Sequence, residues 1–128
     1  MSFLAKGPRA YSGEVIGNGH CVPYVQLVAD APHTSKWRRG ERVRDAGIVP
    51  VGTVVATFGP TGRYENRTDG ASHAAVLIDC GTNGLKVWDQ WVGHPVAQRV
   101  IRYKNGVGLA CDDGDQYFIV EPAEEAVA

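Results

Sequence analysis

The chain has 128 residues, 13 basic and 14 acidic side chains and a formal charge of -1, with hydrophobic residues at 44%. That length closes one hydrophobic core rather than two, the balanced charge leaves no electrostatic footprint for nucleic acid, and no apolar run approaches the roughly 20 residues of a membrane span. Its 16 glycines favour tight turns and short strands over a helical bundle.

Residues 1–9, Met-Ser-Phe-Leu-Ala-Lys-Gly-Pro-Arg, lack the apolar stretch of a secretory signal. The expectation is synthesis in the cytoplasm, with a specialised route if the protein acts elsewhere. Gly17-Asn18-Gly19 is turn chemistry, and the next ten residues place Cys21, Val25 and Val28 on one helical face with Tyr24 and Leu27 alongside. Pro23 is tolerated only in a first turn, so the helix starts near residue 20. Ala31-Pro32 stops it, because the residue before a proline avoids the helical region. The basic stretch Lys36-Trp37-Arg38-Arg39, with Arg42 and Arg44 behind it, alternates with Glu41 and Asp45 and reads as a solvated face.

From Gly52 to Phe58 the chain is β-branched and alternating, which predicts a strand. Further strands are predicted at His73–Asp79, Leu85–Trp91, Gln98–Tyr103 and Gln116–Glu121. The Asn83-Gly84 signature makes the second and third an antiparallel hairpin. Residues 122–128 form a small-residue acidic tail, expected to fray. One α+β domain over 1–128 follows, its N-terminal helix packed on an antiparallel sheet of about five strands.

Three cysteines, Cys21, Cys80 and Cys111, leave at least one thiol unpaired. Cys80 and Cys111 could pair in an oxidising compartment, or Cys80 could be a small buried residue. Cys21 stands at a helix mouth, where unpaired N–H groups favour a thiolate. Its own N–H is a candidate oxyanion donor, and Gly17 and Gly19 would let the backbone approach a substrate. A buried structural cysteine is the competing reading.

A nucleophilic cysteine needs a base from elsewhere in the fold, and the chain offers His20, His33, His73 and His94. His73 opens an apolar strand, so its ring would emerge at a sheet end. His20 reads as rim or cap, His33 as exposed, and His94, in a Gly-His-Pro turn, as the second choice. A third group orienting the base would come from the neighbouring strand. With a hairpin loop of two or four residues Gln90 shares a face with His73; with three or five, Asp89 or Trp91 does. Asp89 is favoured because a carboxylate also stabilises an imidazolium, with Gln90 second. Trp88 reads as core and Trp91 as groove wall. With no Cys-x-x-Cys and no His-x-x-x-His, neither a metal nor another cofactor is expected, and no Gly-x-Ser-x-Gly elbow supports a serine nucleophile.

Gly19-His20-Cys21, residues 50–58 (Pro-Val-Gly-Thr-Val-Val-Ala-Thr-Phe), Ser72-His73-Ala74-Ala75-Val76 and Val87-Trp88-Asp89-Gln90-Trp91 follow one another in an order that resembles the NlpC/CHAP group of papain-like cysteine amidohydrolases. Similarity is greatest to small bacterial members, including peptidoglycan amidase effectors of type VI secretion. The resemblance implies a papain-like fold and metal-free hydrolysis of peptidoglycan stem-peptide amides through an acyl-enzyme. It implies catalytic Cys21, His73 and Asp89, and an antibacterial toxin exported to a target periplasm. A cognate immunity protein is then the expected partner, with no role for nucleic acid or membrane. Papain-like enzymes often place a glutamine six residues before the cysteine; here that residue is Val15, leaving Tyr11 and Asn18 as candidates for the second oxyanion donor. Tyr64, Trp91, Asn18 and Gln90 are candidate substrate contacts, with Arg63 and Asn66 on the same loop as Tyr64. The alternatives are a non-catalytic module gripping a glycan or a protein, or an amidase or acyltransferase acting on a non-wall amide.

Overall fold

The computed structural model describes residues 2–67 and 69–123. It contains one α-helix, α1 (Cys21–Ala29), and six strands: β1 (Trp37–Arg42), β2 (Val54–Ala56), β3 (Ala74–Cys80), β4 (Gly84–Trp91), β5 (His94–Arg102) and β6 (Phe118–Pro122). All neighbouring strands are antiparallel, in the order β1-β6-β2-β3-β4-β5.

The helix begins where its turn residues require. Gly17 and Gly19 have positive φ angles of 57° and 87°, a region that costs an L side chain energy. At Gly17 a Cβ would also stand 2.8 Å from that of Pro23. A side chain at Gly17 would therefore collide with the pinned first turn of the helix. His20 is the extended N-cap, and Asp30, left-handed at φ 51°, ends the helix by donating its N–H to the Gln26 carbonyl. Val22, Tyr24, Val25, Val28 and Ala29 face inward. Leu27, expected beside them, is half exposed.

The sheet is covered on both faces. Ala74, Val76, Trp88 and Val120 pack with the helix, whereas Ala75, Leu77, Val87, Ile101 and Tyr117 form a second cluster. Alternation along β3 assigns its residues to the two clusters. Burial on both sides explains the unbroken apolar run from Ala74 to Leu77.

Two expectations need correction. The stretch read as a solvated basic face contains β1, which adds a sixth strand to the about five expected. Trp37 is fully buried, while Arg39 and Glu41, farther along this edge strand, are exposed, so charges border an edge that also carries a core residue. The tail is also shorter than expected: Pro122 pairs with Trp37, and the Ala123 N–H reaches the Lys36 carbonyl. Residues 124–128 lie outside the described residues. Boundaries move elsewhere, with the strand expected over 52–58 confined to Val54–Ala56 and that expected from Gln98 starting at His94. Between β5 and β6, buried Asp113 accepts from the backbone N–H groups of Lys104, Gly106 and Asp115. This ties down the return path that inserts β6 between β1 and β2.

Candidate active site

Cys21 is the first residue of α1, and His73 immediately precedes β3. Thr57 fixes the backbone of His73 from both sides: its hydroxyl accepts the His73 N–H at 3.0 Å and its N–H donates to the His73 carbonyl at 3.0 Å. The His73 side chain is almost completely buried. Its Nε2 lies 2.7 Å from Asp89 Oδ2 on β4, which leaves Nδ1 for the thiol. The Trp91 and Tyr117 rings stand edge-on to the imidazole, at 6.2 and 6.4 Å between centroids.

A slip in register produces the His73–Asp89 pair. Cys80 pairs with Leu85 and Asp79 with Lys86, but Leu77 pairs with Val87 and Val76 with Trp88. Ile78 is thus an extra residue on β3, and beyond it the strands are offset by one. Four residues separate Cys80 from Leu85, a parity that by itself would bring Gln90 to the His73 face. The bulge brings Asp89 there instead.

Gln90 therefore points to the helix side, where it is fully buried. Its Oε1 accepts the Ile16 N–H at 2.9 Å, and its Nε2 donates to the carbonyls of Ile16 and His20, both at 2.8 Å. Both donations of its Nε2 and one acceptance at its Oε1 go to the loop in front of Cys21, on the face away from His73, so the expectations that it contacts substrate or orients His73 are corrected. It anchors the loop that leads to the nucleophile.

The electrostatics follow from the contacts. Burial raises the Cys21 thiol, but His73 as hydrogen-bond partner and as charge, together with the Tyr64 hydroxyl and the Ala74 N–H, bring it below its ordinary value. Burial lowers His73, yet its bonds to Asp89 and Cys21 outweigh this and hold it at about 9. The pair accordingly favours thiolate and imidazolium over the two neutral groups. The Tyr64 hydroxyl is 3.6 Å from Sγ, and burial, with the nearby thiol, pushes it well above the usual phenol range. It stays protonated and can donate.

Cys21 and His73 open onto a cleft of about 340 Å³ whose walls include Tyr64, Arg67, Trp91 and Arg99. A second hollow of about 380 Å³ lies on the other side of the helix mouth, and the two share His20 and Asn66. Cys21 lines the first of these, and the second adjoins it at His20 and Asn66. Tyr64 and Trp91 line the first part and Asn18 the second, where its Oδ1 accepts the His20 N–H at 3.1 Å. Tyr11 packs against the core, His33 bonds Ser35 and His94 stacks on Trp91 with centroids 4.0 Å apart. Arg63 enters through its backbone, its carbonyl accepting the Gly59 N–H.

Arg99 on β5 was not foreseen. Its Nε donates to Asp89 Oδ2 at 2.8 Å, the oxygen that also meets His73. A lone arginine in the run Val96-Ala97-Gln98-Arg99-Val100, on the strand after Asp89, was the available signal. All three cysteines are free thiols, so Cys80 and Cys111 are not paired. Cys80 instead lies 3.2 Å from the Tyr103 hydroxyl. Among the described residues no group of three or more His, Cys, Asp or Glu could hold a metal ion, and no helix is long and apolar enough to cross a membrane.

The family described as domesticated amidase effector 2 matches residues 2–120. A type VI secretion amidase effector 2 protein of Salmonella typhi is 36% identical over 121 residues, spanning 84% of this chain and 90% of that one. A domesticated amidase effector 2 of Ixodes scapularis is 37% identical over 90 residues, 69% of this chain and 58% of the tick protein. A solved structure of a type 6 secretion amidase effector 2 superposes with a TM-score of 0.80 at 29% identity, covering 98% of this chain and 99% of the other.

Proposed function

The chain belongs to the domesticated amidase effector 2 family, and from that premise we propose that it is an antibacterial amidase that hydrolyses stem-peptide amides of peptidoglycan with Cys21 as its nucleophile. The observation carrying this reading is that Cys21 and His73 line one cleft with Asp89 behind the imidazole, 2.7 Å from its Nε2, the thiol being lowered and the imidazole raised by each other.

In this mechanism the Cys21 thiolate attacks the amide carbonyl carbon, and the oxyanion forms near the helix mouth, where the Cys21 N–H is a donor. The His73 imidazolium gives its proton to the amide nitrogen as the C–N bond breaks, releasing the amine and leaving a thioester on Sγ. Neutral His73 then takes a proton from water; the resulting hydroxide attacks the thioester, the C–S bond breaks, and the acid leaves. The imidazolium and thiolate are thereby restored. Asp89 holds the ring through Nε2 and stabilises its positive form.

The cleft at Cys21 and the hollow that adjoins it at His20 and Asn66 would together seat a substrate that continues past the scissile bond in both directions, which suits an endopeptidase. Delivery into a target periplasm by type VI secretion would require the producing cell to hold a neutralising protein that blocks this groove. The test is expression behind a periplasmic leader in a sensitive bacterium. Lysis with the wild type and none with Cys21→Ala is expected; equal growth of the two would overturn the toxin reading.

A further inference from the structure

Arg99 has a role that the catalytic trio leaves unassigned. It pairs with Val87 across β4 and β5, so its side chain reaches diagonally to Asp89. Its Nε meets Asp89 Oδ2 at 2.8 Å, while His73 Nε2 meets the same oxygen at 2.7 Å. The guanidinium carbon also lies 4.5 Å over the centroid of the Trp91 ring, which holds the fork in place.

We infer that Arg99 is a positioning residue, holding Asp89 against His73 and tempering the carboxylate's pull on the imidazole proton. The inference rests on the reading of His73 as acid and base. A buried carboxylate whose only partner is an imidazolium binds its proton tightly, which makes the imidazolium a poor acid toward a leaving amine. A guanidinium stays charged throughout the working range. By sharing Oδ2 it takes up part of the negative charge that would otherwise act on His73 alone, and it fixes the carboxylate that meets the ring.

Few other groups compete for control of this proton. From α1, Cys21 faces His73; from β4, Asp89 and Trp91 do; from the approach to β6, Tyr117 does. Tyr117 is held neutral because burial pushes its phenol well above the usual range. Removing Cys21 therefore isolates the influence of Asp89 and Arg99.

The experiment is an NMR titration of the His73 imidazole in Cys21→Ala, Cys21→Ala/Arg99→Met and Cys21→Ala/Arg99→Lys. Loss of the charge in Arg99→Met should raise the midpoint by on the order of one pH unit, the size of a close charge effect, and Arg99→Lys should fall between the other two. A midpoint unchanged or lowered in Arg99→Met would overturn the inference. Should Arg99→Met fail to fold, Cys21→Ala/Arg99→Gln decides: a midpoint at or below that of Cys21→Ala overturns it equally. With Cys21 present, Arg99→Met should lower kcat on an amide about tenfold at nearly constant KM. Turnover that survives His73→Ala would defeat the catalytic reading by itself, while the titration would still measure the effect of Arg99.

Discussion

His73 Nε2 and Asp89 Oδ2 stand 2.7 Å apart because β3 carries one residue more than β4 between Leu77 and Asp79. Without that bulge, parity would put an amide where the carboxylate is. Asp89→Asn should keep the ring contact but lose the charge that stabilises the imidazolium. We expect kcat/KM to fall by about 10²- to 10⁴-fold, the range for a disabled acid–base group. Steady-state hydrolysis of a stem peptide measures this, and near wild-type turnover would remove Asp89 from the machinery.

Gln90 serves the site through the backbone. Gln90→Leu keeps most of the volume but leaves the Ile16 N–H and the carbonyls of Ile16 and His20 without their buried partner. Unfolding in urea should show a loss of about 2–4 kcal/mol, from more than one stranded polar group. Unchanged stability would mean that the Ile16–His20 loop is held by other contacts.

The thiol and imidazole define a pH window. Cys21 is lowered by His73 against the opposing effect of burial, and His73 is raised to about 9 by Asp89 and Cys21, again against burial. Amide hydrolysis should therefore decline on the basic side near pH 9, as the imidazolium is lost. Iodoacetamide at mildly acidic pH should label Cys21 before Cys111, whose thiol is raised by burial and by Asp112. The stability linkage of His73 has a definite sign. A folded value above the unfolded one gives stabilisation that is full below about pH 6.5 and is lost as pH rises through about 9. In Cys21→Ala, where Asp89 still supports the imidazolium but the thiol no longer does, the urea midpoint should fall as pH rises above about 6.5; a rise would contradict the assignment.

Tyr64→Phe removes one donor from the thiolate and leaves the ring, which lies 5.1 Å from Trp37 between centroids. Alkylation of Cys21 at acidic pH should slow by roughly 3- to 10-fold, the loss of one ordinary hydrogen bond of about 1 kcal/mol, with little change in stability. Labelling at the wild-type rate would reduce Tyr64 to a wall residue.

The parts of the fold legible in the sequence were those governed by local chemistry. Gly17-Asn18-Gly19, Pro23 and Ala31-Pro32 bound α1, and Asn83-Gly84 marks the β3–β4 hairpin, because turns and prolines act over a few residues. His73 stood out as a polar residue opening an apolar strand. Long-range contacts were not legible. Trp37 is buried by residues distant in sequence, among them Tyr64 and Val120, whereas Arg38 and Arg39 dominated the pattern of that stretch. The choice between Asp89 and Gln90 depended on Ile78, whose bulge has no composition signal. Arg99 reaches Asp89 through a cross-strand diagonal that requires the β4–β5 register.

The most direct test of the central claim is digestion of purified peptidoglycan stem peptides by wild-type protein and by Cys21→Ala, with the products identified by mass. The account predicts one new amine and one new acid from a single amide, formed by the wild type alone. Cleavage by Cys21→Ala at a comparable rate would contradict a cysteine nucleophile, and no cleavage by either would contradict a peptidoglycan amidase.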